Sequence, residues 1–322
     1  MGLRKNIEYW NESLTHPEKF LDDYYIFDDI IVNDQNLIEK IKQLRFLIIT
    51  YCKMTEIDEN VTSKILDKIY NILVSIENIQ YTEFVAFWKN LDLSYSIFKD
   101  FKNSPESINI LRDILEKYCE KRFELYNSLG YSNITVQALY DAGASRKKGM
   151  AGINKLEDLI KSRFEDVVHA EDWNSLEIAN IAYFLPDSKD EKLFKEFCEI
   201  YKIQFEFGKT HQGKEPDMVL KVNQDFFIIE AKHINESGGA QDKQIVEVID
   251  FIKNSESSNK IHYLSFMDGL YFNKFSQENI TNNKINNQKR NIEEALKNNE
   301  NNFFVNTYGF KILLNDLLKY RI

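Results

Sequence analysis

The feature that most constrains the fold is a pair of apolar runs on either side of a short polar turn, within residues 217–232. The runs 218–222 and 226–229 flank Asn223 and Gln224, whose midpoint is the expected centre of a β-hairpin. Strict antiparallel pairing about that point joins residues whose numbers sum to 447. Asn-Gln is not the preferred Asn-Gly turn pair, so another register is the alternative. The segment therefore predicts two adjacent antiparallel strands.

The predicted hairpin brings three ionisable side chains together. Asp217 and Glu230 satisfy the pairing sum, and direct cross-strand neighbours have Cβ atoms about 5 Å apart. Glu230 and Lys232 are two residues apart on one strand, so they project from the same face. Two carboxylates at this separation repel by roughly 3 kcal/mol at an effective dielectric near 20, and a divalent cation would reverse this repulsion. The pattern predicts an Mg²⁺ site beside a lysine.

Two carboxylates and a lysine around Mg²⁺ suit the hydrolysis of phosphodiester bonds. The ion lowers the pKa of a water that it binds and polarises a phosphoryl oxygen. The lysine can orient that water or offset charge on the phosphate. The acid-any-lysine tripeptide alone is a weak signal, because it also occurs at 100–102, 187–189 and 190–192. Those copies lack an acid placed opposite, whereas Glu230 ends an apolar run and faces Asp217 in the predicted register.

The order Pro-Asp at 216–217 and Glu-Ala-Lys at 230–232 resembles the PD-(D/E)xK nuclease superfamily, which includes most type II restriction endonucleases. The basic, glycine-containing stretch 145–157 resembles the segment that leads into the first core helix of many restriction enzymes. Residues 230–241 resemble the segment that comes after the catalytic strand of those enzymes. The resemblance covers roughly residues 140–275 and implies an α/β core with a mixed sheet flanked by helices.

The resemblance also implies roles for individual residues. Asp217 and Glu230 would be Mg²⁺ ligands, Lys232 the catalytic lysine and Glu157 an auxiliary acid on the first core helix. Glu157 follows Leu156 at the edge of an apolar helical stripe, from which its carboxylate could reach a metal. The alternative for Glu157 is a solvated first-turn glutamate that is favoured by the helix dipole.

We therefore expect Mg²⁺-dependent, sequence-specific cleavage of double-stranded DNA by a type II restriction endonuclease. A short symmetric target is most simply read by a two-fold protein, so we expect a homodimer. A repair or recombination nuclease on the same core, which cuts by DNA structure, is one alternative. A non-catalytic DNA-binding module is another. The intact set of Asp217, Glu230 and Lys232 argues against the module.

Spacing and composition predict two domains. Residues 1–140 contain apolar positions at helical spacing and are expected to form a helical domain, and residues 141–322 to form the catalytic α/β domain. The glycine-rich and basic stretch 141–154 is the expected junction. Strands are predicted at 203–207, 218–222, 226–232 and 261–266, and helices at 156–168, 193–200, 242–252 and a last one ending at Ile322.

Several basic and polar residues are candidate DNA contacts, although the net charge of −10 argues mildly against a nucleic-acid partner. A basic cleft can coexist with acidic surface elsewhere. Lys214 could touch phosphate and Gln241 could support the site, but a plain loop and a solvated helix are the alternatives. His233 is expected on the opposite strand face, in the core or in a polar network. The basic clusters are Arg146, Lys147 and Lys148, then Lys284, Lys289 and Arg290.

The cysteines and the apolar runs bear on the compartment. Three scattered cysteines without a CxxC pair suit free, buried thiols in a reducing cytoplasm. No apolar run approaches the roughly 18 residues that a membrane span needs, so no membrane partner is expected. The first residues lack the pattern of a secretory signal. We therefore expect a cytoplasmic protein.

Overall fold

In a computed structural model, the chain divides into two units. One unit contains Met1–Ile26 and Lys148–Ile322, and the other contains Phe27–Lys147. The predicted boundary after residue 140 is therefore wrong for the start of the chain, which belongs to the α/β unit. The structure describes residues 3–25, 35–54, 59–76, 79–91, 93–100, 106–129, 138, 148–236, 238–277 and 280–319.

The described residues contain thirteen α-helices and six strands. The helices are α1 (Asn6–Thr15), α2 (Gln35–Met54), α3 (Glu59–Ser75), α4 (Glu83–Phe87), α5 (Tyr95–Asp100), α6 (Glu106–Leu129), α7 (Lys148–Lys161), α8 (Trp173–Ile178), α9 (Glu191–Tyr201), α10 (Glu206–Thr210), α11 (Gly239–Phe251), α12 (Asn283–Asn298) and α13 (Thr307–Lys319). The strands are β1 (Val168–His169), β2 (Ile181–Phe184), β3 (Met218–Val222), β4 (Asp225–His233), β5 (Ile261–Asp268) and β6 (Phe303–Val305). None of these helices is both long and apolar enough to span a bilayer.

The helical unit is held together by the apolar stripes of α2, α3 and α6. Residues such as Leu44, Ile69 and Leu115 recur at helical spacing and are almost completely buried. Cys52 of α2 and Cys119 of α6 form a disulfide, with their Cα atoms 5.5 Å apart. The prediction of free thiols is therefore wrong for these two cysteines, because helix packing brings positions distant in sequence together.

The α/β unit is built on a mixed sheet with strand order β1-β2-β3-β4-β5-β6. Strands β2, β3 and β4 are antiparallel neighbours, whereas β1 pairs with β2, and β5 with β4 and β6, in parallel. Helix α11 connects β4 to β5, as a parallel pair requires a crossover. The predicted α/β class with a mixed sheet is confirmed.

The register of the β3-β4 hairpin agrees with the sequence prediction. Met218 pairs with Ile229 and Val222 with Asp225, so the residue numbers of each pair sum to 447. Asn223 has a φ of 56° in the turn, a left-handed conformation that asparagine tolerates better than most residues. The hairpin thus places Asp217 and Glu230 opposite one another, immediately beyond the last ladder pair.

The two faces of the sheet are covered by different helices. Apolar residues of α7 and α13 pack on the face that contains Phe227 and Ile229, which we call the first face. The second face contains Phe226, Ile228 and Glu230 and is covered by α9, α10 and α11. Alternation along β4 therefore sends the side chains of Glu230 and Lys232 toward α11 and away from α7.

Helix α1 packs against β6 and α13. Tyr9 and Trp10 are completely buried there. The Asn6 amide nitrogen donates hydrogen bonds to the carbonyl oxygens of Leu296, Asn299 and Asn302, at 2.8, 3.0 and 2.9 Å. Buried aromatic side chains and a fully satisfied amide anchor this helix in the α/β unit.

Three strand predictions are confirmed and one is wrong. Strands β3, β4 and β5 cover the predicted 218–222, 226–232 and 261–266. Residues 203–207 instead form a loop and the start of α10, and Phe205 has a left-handed φ of 42°. Their alternate apolar side chains are buried against the second face, which explains the alternation without a strand.

The bounds of several other strands and helices differ from those that the sequence predicts. The sequence pattern does not predict strand β2, because all four of its residues are buried and show no alternation. The apolar stripe predicted to continue to Val168 ends with α7 at Lys161, and Val168 begins β1. Helices α9 and α11 confirm the predictions at 193–200 and 242–252. The last helix is described to Lys319, and residues 320–322 lie outside the described part.

Candidate active site

The structure brings Asp217, Glu230 and Lys232 together where the hairpin ends. An Asp217 carboxylate oxygen accepts a hydrogen bond of 2.7 Å from the backbone nitrogen of Ala231, which fixes the aspartate beside the β4 strand. Glu230 has no exposed surface. The Lys232 ammonium donates to Oε1 of Glu230. Two carboxylates and a lysine thus share one small volume on the second face.

Two further charged residues complete this cluster. Lys214 precedes β3, and its ammonium donates both to Oε1 of Glu230 and to Glu247 on α11. The Lys232 ammonium lies 3.9 Å from the same Glu247 oxygen. These residues supply three carboxylates and two ammoniums, so their formal charges leave one net negative charge. We call Asp217, Glu230, Lys232, Lys214 and Glu247 the acid-lysine cluster.

The pKa shifts in the acid-lysine cluster follow from burial and from charge repulsion. Burial raises the pKa of Glu230 to about 7, and repulsion from Asp217 adds to this effect against the opposing charges of Lys232 and Lys214. Burial also raises the pKa of Asp217, although Lys232 opposes it. Both adjacent carboxyl groups resist ionisation. A bound cation would offset the repulsion between the two carboxylates and favour their ionised forms.

Glu247 behaves differently from the two hairpin acids. Burial alone would raise its pKa, but the hydrogen bond from Lys214 and the charge of Lys232 lower the net value. Burial would lower the pKa of Lys214, yet Glu230 and Glu247 raise it above the ordinary value. Lys214 and Glu247 therefore favour their charged forms as an ion pair, whereas Asp217 and Glu230 are two carboxyl groups whose pKa values are raised.

One carboxylate oxygen of the cluster has no hydrogen-bond partner among the described residues. Both ammoniums contact Oε1 of Glu230, whereas Oε2 is buried and accepts no hydrogen bond from any residue that the structure describes. A buried carboxylate oxygen without a donor is costly, and native structures leave few of them unexplained. Asp217 and Glu230 supply hard oxygen donors, which are the ligands that Mg²⁺ prefers. These residues therefore fit a divalent cation.

Glu157 does not join the cluster. Its carboxylate accepts hydrogen bonds from Lys161 at 2.6 Å and from the Tyr183 hydroxyl at 3.1 Å. Tyr183 is the cross-strand neighbour of Leu220 and belongs to the first face, opposite Glu230. The expectation that Glu157 reaches the metal is therefore wrong, because α7 covers the first face of the sheet and Glu230 lies on the second face.

A second acidic group lies on the first face. Glu18, Asp22 and Asp268 offer carboxylate oxygens close enough to hold a metal ion. The Lys155 ammonium already lies between them, 3.8, 2.5 and 2.6 Å from their respective oxygens. Lys155 is 1% exposed and Asp268 also 1%, so this is a buried ion pair network in which lysine supplies the cation.

His233 belongs to that network, as the strand alternation predicts. Its Nδ1 lies 2.9 Å from an Asp268 oxygen, and its ring stacks on Tyr25 with centroids 3.5 Å apart. The Tyr25 hydroxyl also donates to Asp268, at 2.9 Å. The expectation of a polar-network histidine is confirmed.

The remaining candidate DNA contacts are spread over the unit. Arg146 and Lys147 lie outside the described residues, and Lys148 is the first residue of α7. Gln241 is exposed on the first turn of α11. In the second basic cluster, Lys284 pairs with Asp242, Lys289 donates to the Phe275 carbonyl and Arg290 lies near Glu294.

Sequence reasoning missed Glu247, although a signal was present. Gln241 and Gln244 lie on the same helix, and Glu247 continues their three-residue spacing along α11. It also stands beside the apolar positions Val248 and Ile249, at the edge of the stripe that packs on the sheet. Glu157 and Glu247 both lie at the edge of an apolar helical stripe, but only Glu247 is on a helix that covers the second face.

Comparisons with known proteins add no assignment. No protein-family model, curated protein or solved structure matches this chain. The chemistry of the site therefore has to be inferred from its own residues.

Proposed function

We propose that the protein is an Mg²⁺-dependent endonuclease that hydrolyses phosphodiester bonds in double-stranded DNA, of the sequence-specific type II restriction kind. The observation that carries this proposal is the meeting of Asp217, Glu230 and Lys232 at the hairpin end, with a buried Glu230 oxygen to which none of the described residues donates a hydrogen bond. The resemblance to PD-(D/E)xK nucleases in the same three residues supports it.

Asp217 and Glu230 would hold the ion, and each makes a distinct contribution. The backbone hydrogen bond from Ala231 orients Asp217, and complete burial keeps Glu230 from turning toward solvent. When bound, Mg²⁺ supplies a water of lowered pKa and a Lewis acid for a phosphoryl oxygen.

The contact with Glu230 holds the Lys232 ammonium beside the proposed Mg²⁺ ligands. Its ammonium can orient the attacking water and offset the negative charge that develops on the phosphate during attack. The Lys232 side chain is 16% exposed, so it is sheltered but retains some contact with solvent. The lysine therefore stabilises charge where water competes least.

The test is incubation of the purified protein with long DNA of mixed sequence, with and without Mg²⁺. Discrete fragments that require Mg²⁺ are the expected result. A smear or cutting limited to branched or damaged DNA would indicate a repair or recombination nuclease. Binding without cutting would indicate a DNA-binding module and contradict the proposal.

We predict that Lys232→Ala and Asp217→Asn lose cleavage by several powers of ten. Both variants should still bind DNA in the presence of Ca²⁺, because they remove the chemistry and leave the scaffold. Lys209→Ala is the control, since Lys209 is an exposed lysine that pairs with Glu206 on α10. Cleavage near the wild-type rate by either site variant would remove Asp217 or Lys232 from the assignment.

We also propose that the protein acts as a homodimer on its DNA. Two active sites related by a two-fold axis would each cut one strand of a symmetric target. Light scattering of the free and DNA-bound protein measures this directly. A monomer in both states would rule out the dimer.

A further inference from the structure

The acid-lysine cluster contains one lysine more than the two-acid, one-lysine motif requires. Lys214 and Lys232 both donate to Oε1 of Glu230, although they come from different parts of the chain. Lys214 also donates to Glu247, which lies near Lys232 as well. Glu247 thus holds two ammoniums close to one buried carboxylate.

The backbone holds Lys214 in place. The backbone nitrogen of Lys214 donates to the His211 carbonyl at 3.1 Å, and the backbone nitrogen of Gly213 donates to the Gly208 carbonyl at 2.9 Å. A Cβ atom at Gly208 would lie 2.9 Å from the Lys214 carbonyl oxygen, so the close approach of these two segments requires glycine there. The Lys214 side chain is 25% exposed, which leaves one side accessible. This geometry is fixed by the fold and does not depend on a flexible surface lysine.

We propose that Lys214 is a second phosphate-binding lysine of this site, that Glu247 positions it, and that the pair sets how tightly the site binds a divalent cation. This inference rests on the proposed nuclease function. With all five groups ionised, the cluster has one net negative charge from three carboxylates and two ammoniums. One divalent cation changes this to one net positive charge, which complements a single phosphodiester. Without Lys214 the loaded cluster would be neutral and would attract the phosphate less.

A purely structural ion pair between Lys214 and Glu247 is the competing explanation. Such a pair would affect folding stability but would leave the salt dependence of DNA binding unchanged. A lysine that neutralises a phosphate lowers the steepness of that salt dependence by about one when it is removed. The salt dependence of DNA binding therefore separates the two explanations.

The first measurement is calorimetric titration of Ca²⁺ into the protein without DNA, at pH 8.5, well above the ordinary pKa of a carboxyl group. We expect Lys214→Met to bind Ca²⁺ about tenfold more tightly, because a positive charge near the ligands is gone. Glu247→Gln should bind about tenfold more weakly, because a negative charge is gone. The double variant should return to within about threefold of the wild type, since its cluster charge is restored.

The second measurement is DNA binding in Ca²⁺ as a function of salt. Lys214→Met should bind DNA more weakly and reduce the salt slope by about one, and Lys214→Arg should retain the wild-type slope because it keeps the charge. The double variant should keep the DNA defect despite its restored Ca²⁺ affinity. Lys209→Met is the matched control on the preceding helix, and circular dichroism verifies that each variant is folded.

The outcomes distinguish this inference from the proposed function. If the wild type cuts DNA with Mg²⁺ but folded Lys214→Met keeps the wild-type Ca²⁺ affinity or salt slope, the inference is wrong and the nuclease function stands. If the wild type neither binds Ca²⁺ nor cuts DNA, the proposed function and the inference both fail.

Discussion

Glu157 and Glu247 are two glutamates on helices that pack against the same sheet, yet their surroundings differ. Glu157 contacts a tyrosine and a lysine on the first face, whereas Glu247 contacts both lysines of the cluster on the second face. Both stand at the edge of an apolar stripe, so helical periodicity alone does not separate them. The connections between strands and helices determine which face of the sheet a helix covers. This face cannot be inferred from a single residue of the helix.

We predict that Glu157→Gln leaves both the cleavage rate and the Mg²⁺ concentration for half-maximal cleavage unchanged. Its carboxylate serves a partly exposed contact with Lys161, so we expect a loss of stability of at most about 1 kcal/mol. Cleavage assayed over a range of Mg²⁺ concentrations measures the first quantity, and urea unfolding measures the second. A several-fold rise in the Mg²⁺ requirement would return Glu157 to the site.

Asp268 is the centre of the buried network on the first face, and we predict that Asp268→Asn lowers the free energy of unfolding by about 3–5 kcal/mol at pH 7. The substitution leaves Lys155 buried with less negative charge around it. Urea unfolding followed by circular dichroism measures the change. Asp250→Asn is the control, because Asp250 forms an exposed pair with Lys253 and should cost under about 1 kcal/mol.

The same aspartate predicts a pH dependence of stability. Burial would raise the pKa of Asp268, but the hydrogen bond with His233 and the charge of Lys155 overcome burial and lower it. A carboxyl with a lowered folded-state pKa contributes stability above its unfolded pKa of about 3.9, and this contribution is lost as pH falls through the folded value. Unfolding measured from pH 5 downward should therefore show a steeper loss for the wild type than for Asp268→Asn. Parallel curves would contradict this.

At the level of elements, the β3-β4 hairpin could be predicted because the residues that determine it are adjacent in the sequence. Two apolar runs and a two-residue turn fix the register, and the register places Asp217 opposite Glu230. Strand β2 could not be predicted in this way, since it is buried on both faces and has no alternation. Residues 203–207 show the reverse case, in which alternate burial arises from packing against the sheet and not from a strand.

We predict that the turn residue Asn223 tolerates glycine but not valine. Its φ of 56° suits glycine, whereas a β-branched side chain in this conformation costs about 1–2 kcal/mol. Asn223→Val should therefore lower the free energy of unfolding by that amount, and Asn223→Gly should stay within about 0.5 kcal/mol of the wild type. Urea denaturation of the pair gives the comparison. Equal stability of the valine and glycine variants would show that the turn has another conformation.

At the level of the whole molecule, the disulfide between Cys52 and Cys119 links positions 67 residues apart in the helical unit. Closure of a loop of this length contributes about 4 kcal/mol to stability in the chain-entropy model. We predict that reduction, or the double variant Cys52→Ala and Cys119→Ala, lowers the stability of this unit by a comparable amount. Thermal unfolding with and without reductant measures it, and Cys198→Ala is the control.

Counting thiols provides an independent check of the pairing. The unfolded, unreduced protein should react with iodoacetamide at Cys198 alone, and at three cysteines after reduction. In the folded protein Cys198 should react slowly, because burial raises the pKa of its thiol to about 12. Three reactive thiols without reductant would contradict the disulfide.

The packing of α1 has a consequence for how the two units are arranged in the gene. The chain leaves the α/β unit after a short 3₁₀ helix at Asp23–Tyr25 and returns to it at α7, and Tyr25 lies against α7, near Gly152 and Lys155. The exit and return points are thus neighbours. The helical unit is therefore an internal insertion, which can be gained, lost or exchanged as one continuous piece of coding sequence. A fragment beginning at Lys148 would lack the anchor formed by Trp10 and Asn6, whereas a short peptide bridging residue 25 to residue 148 would keep it.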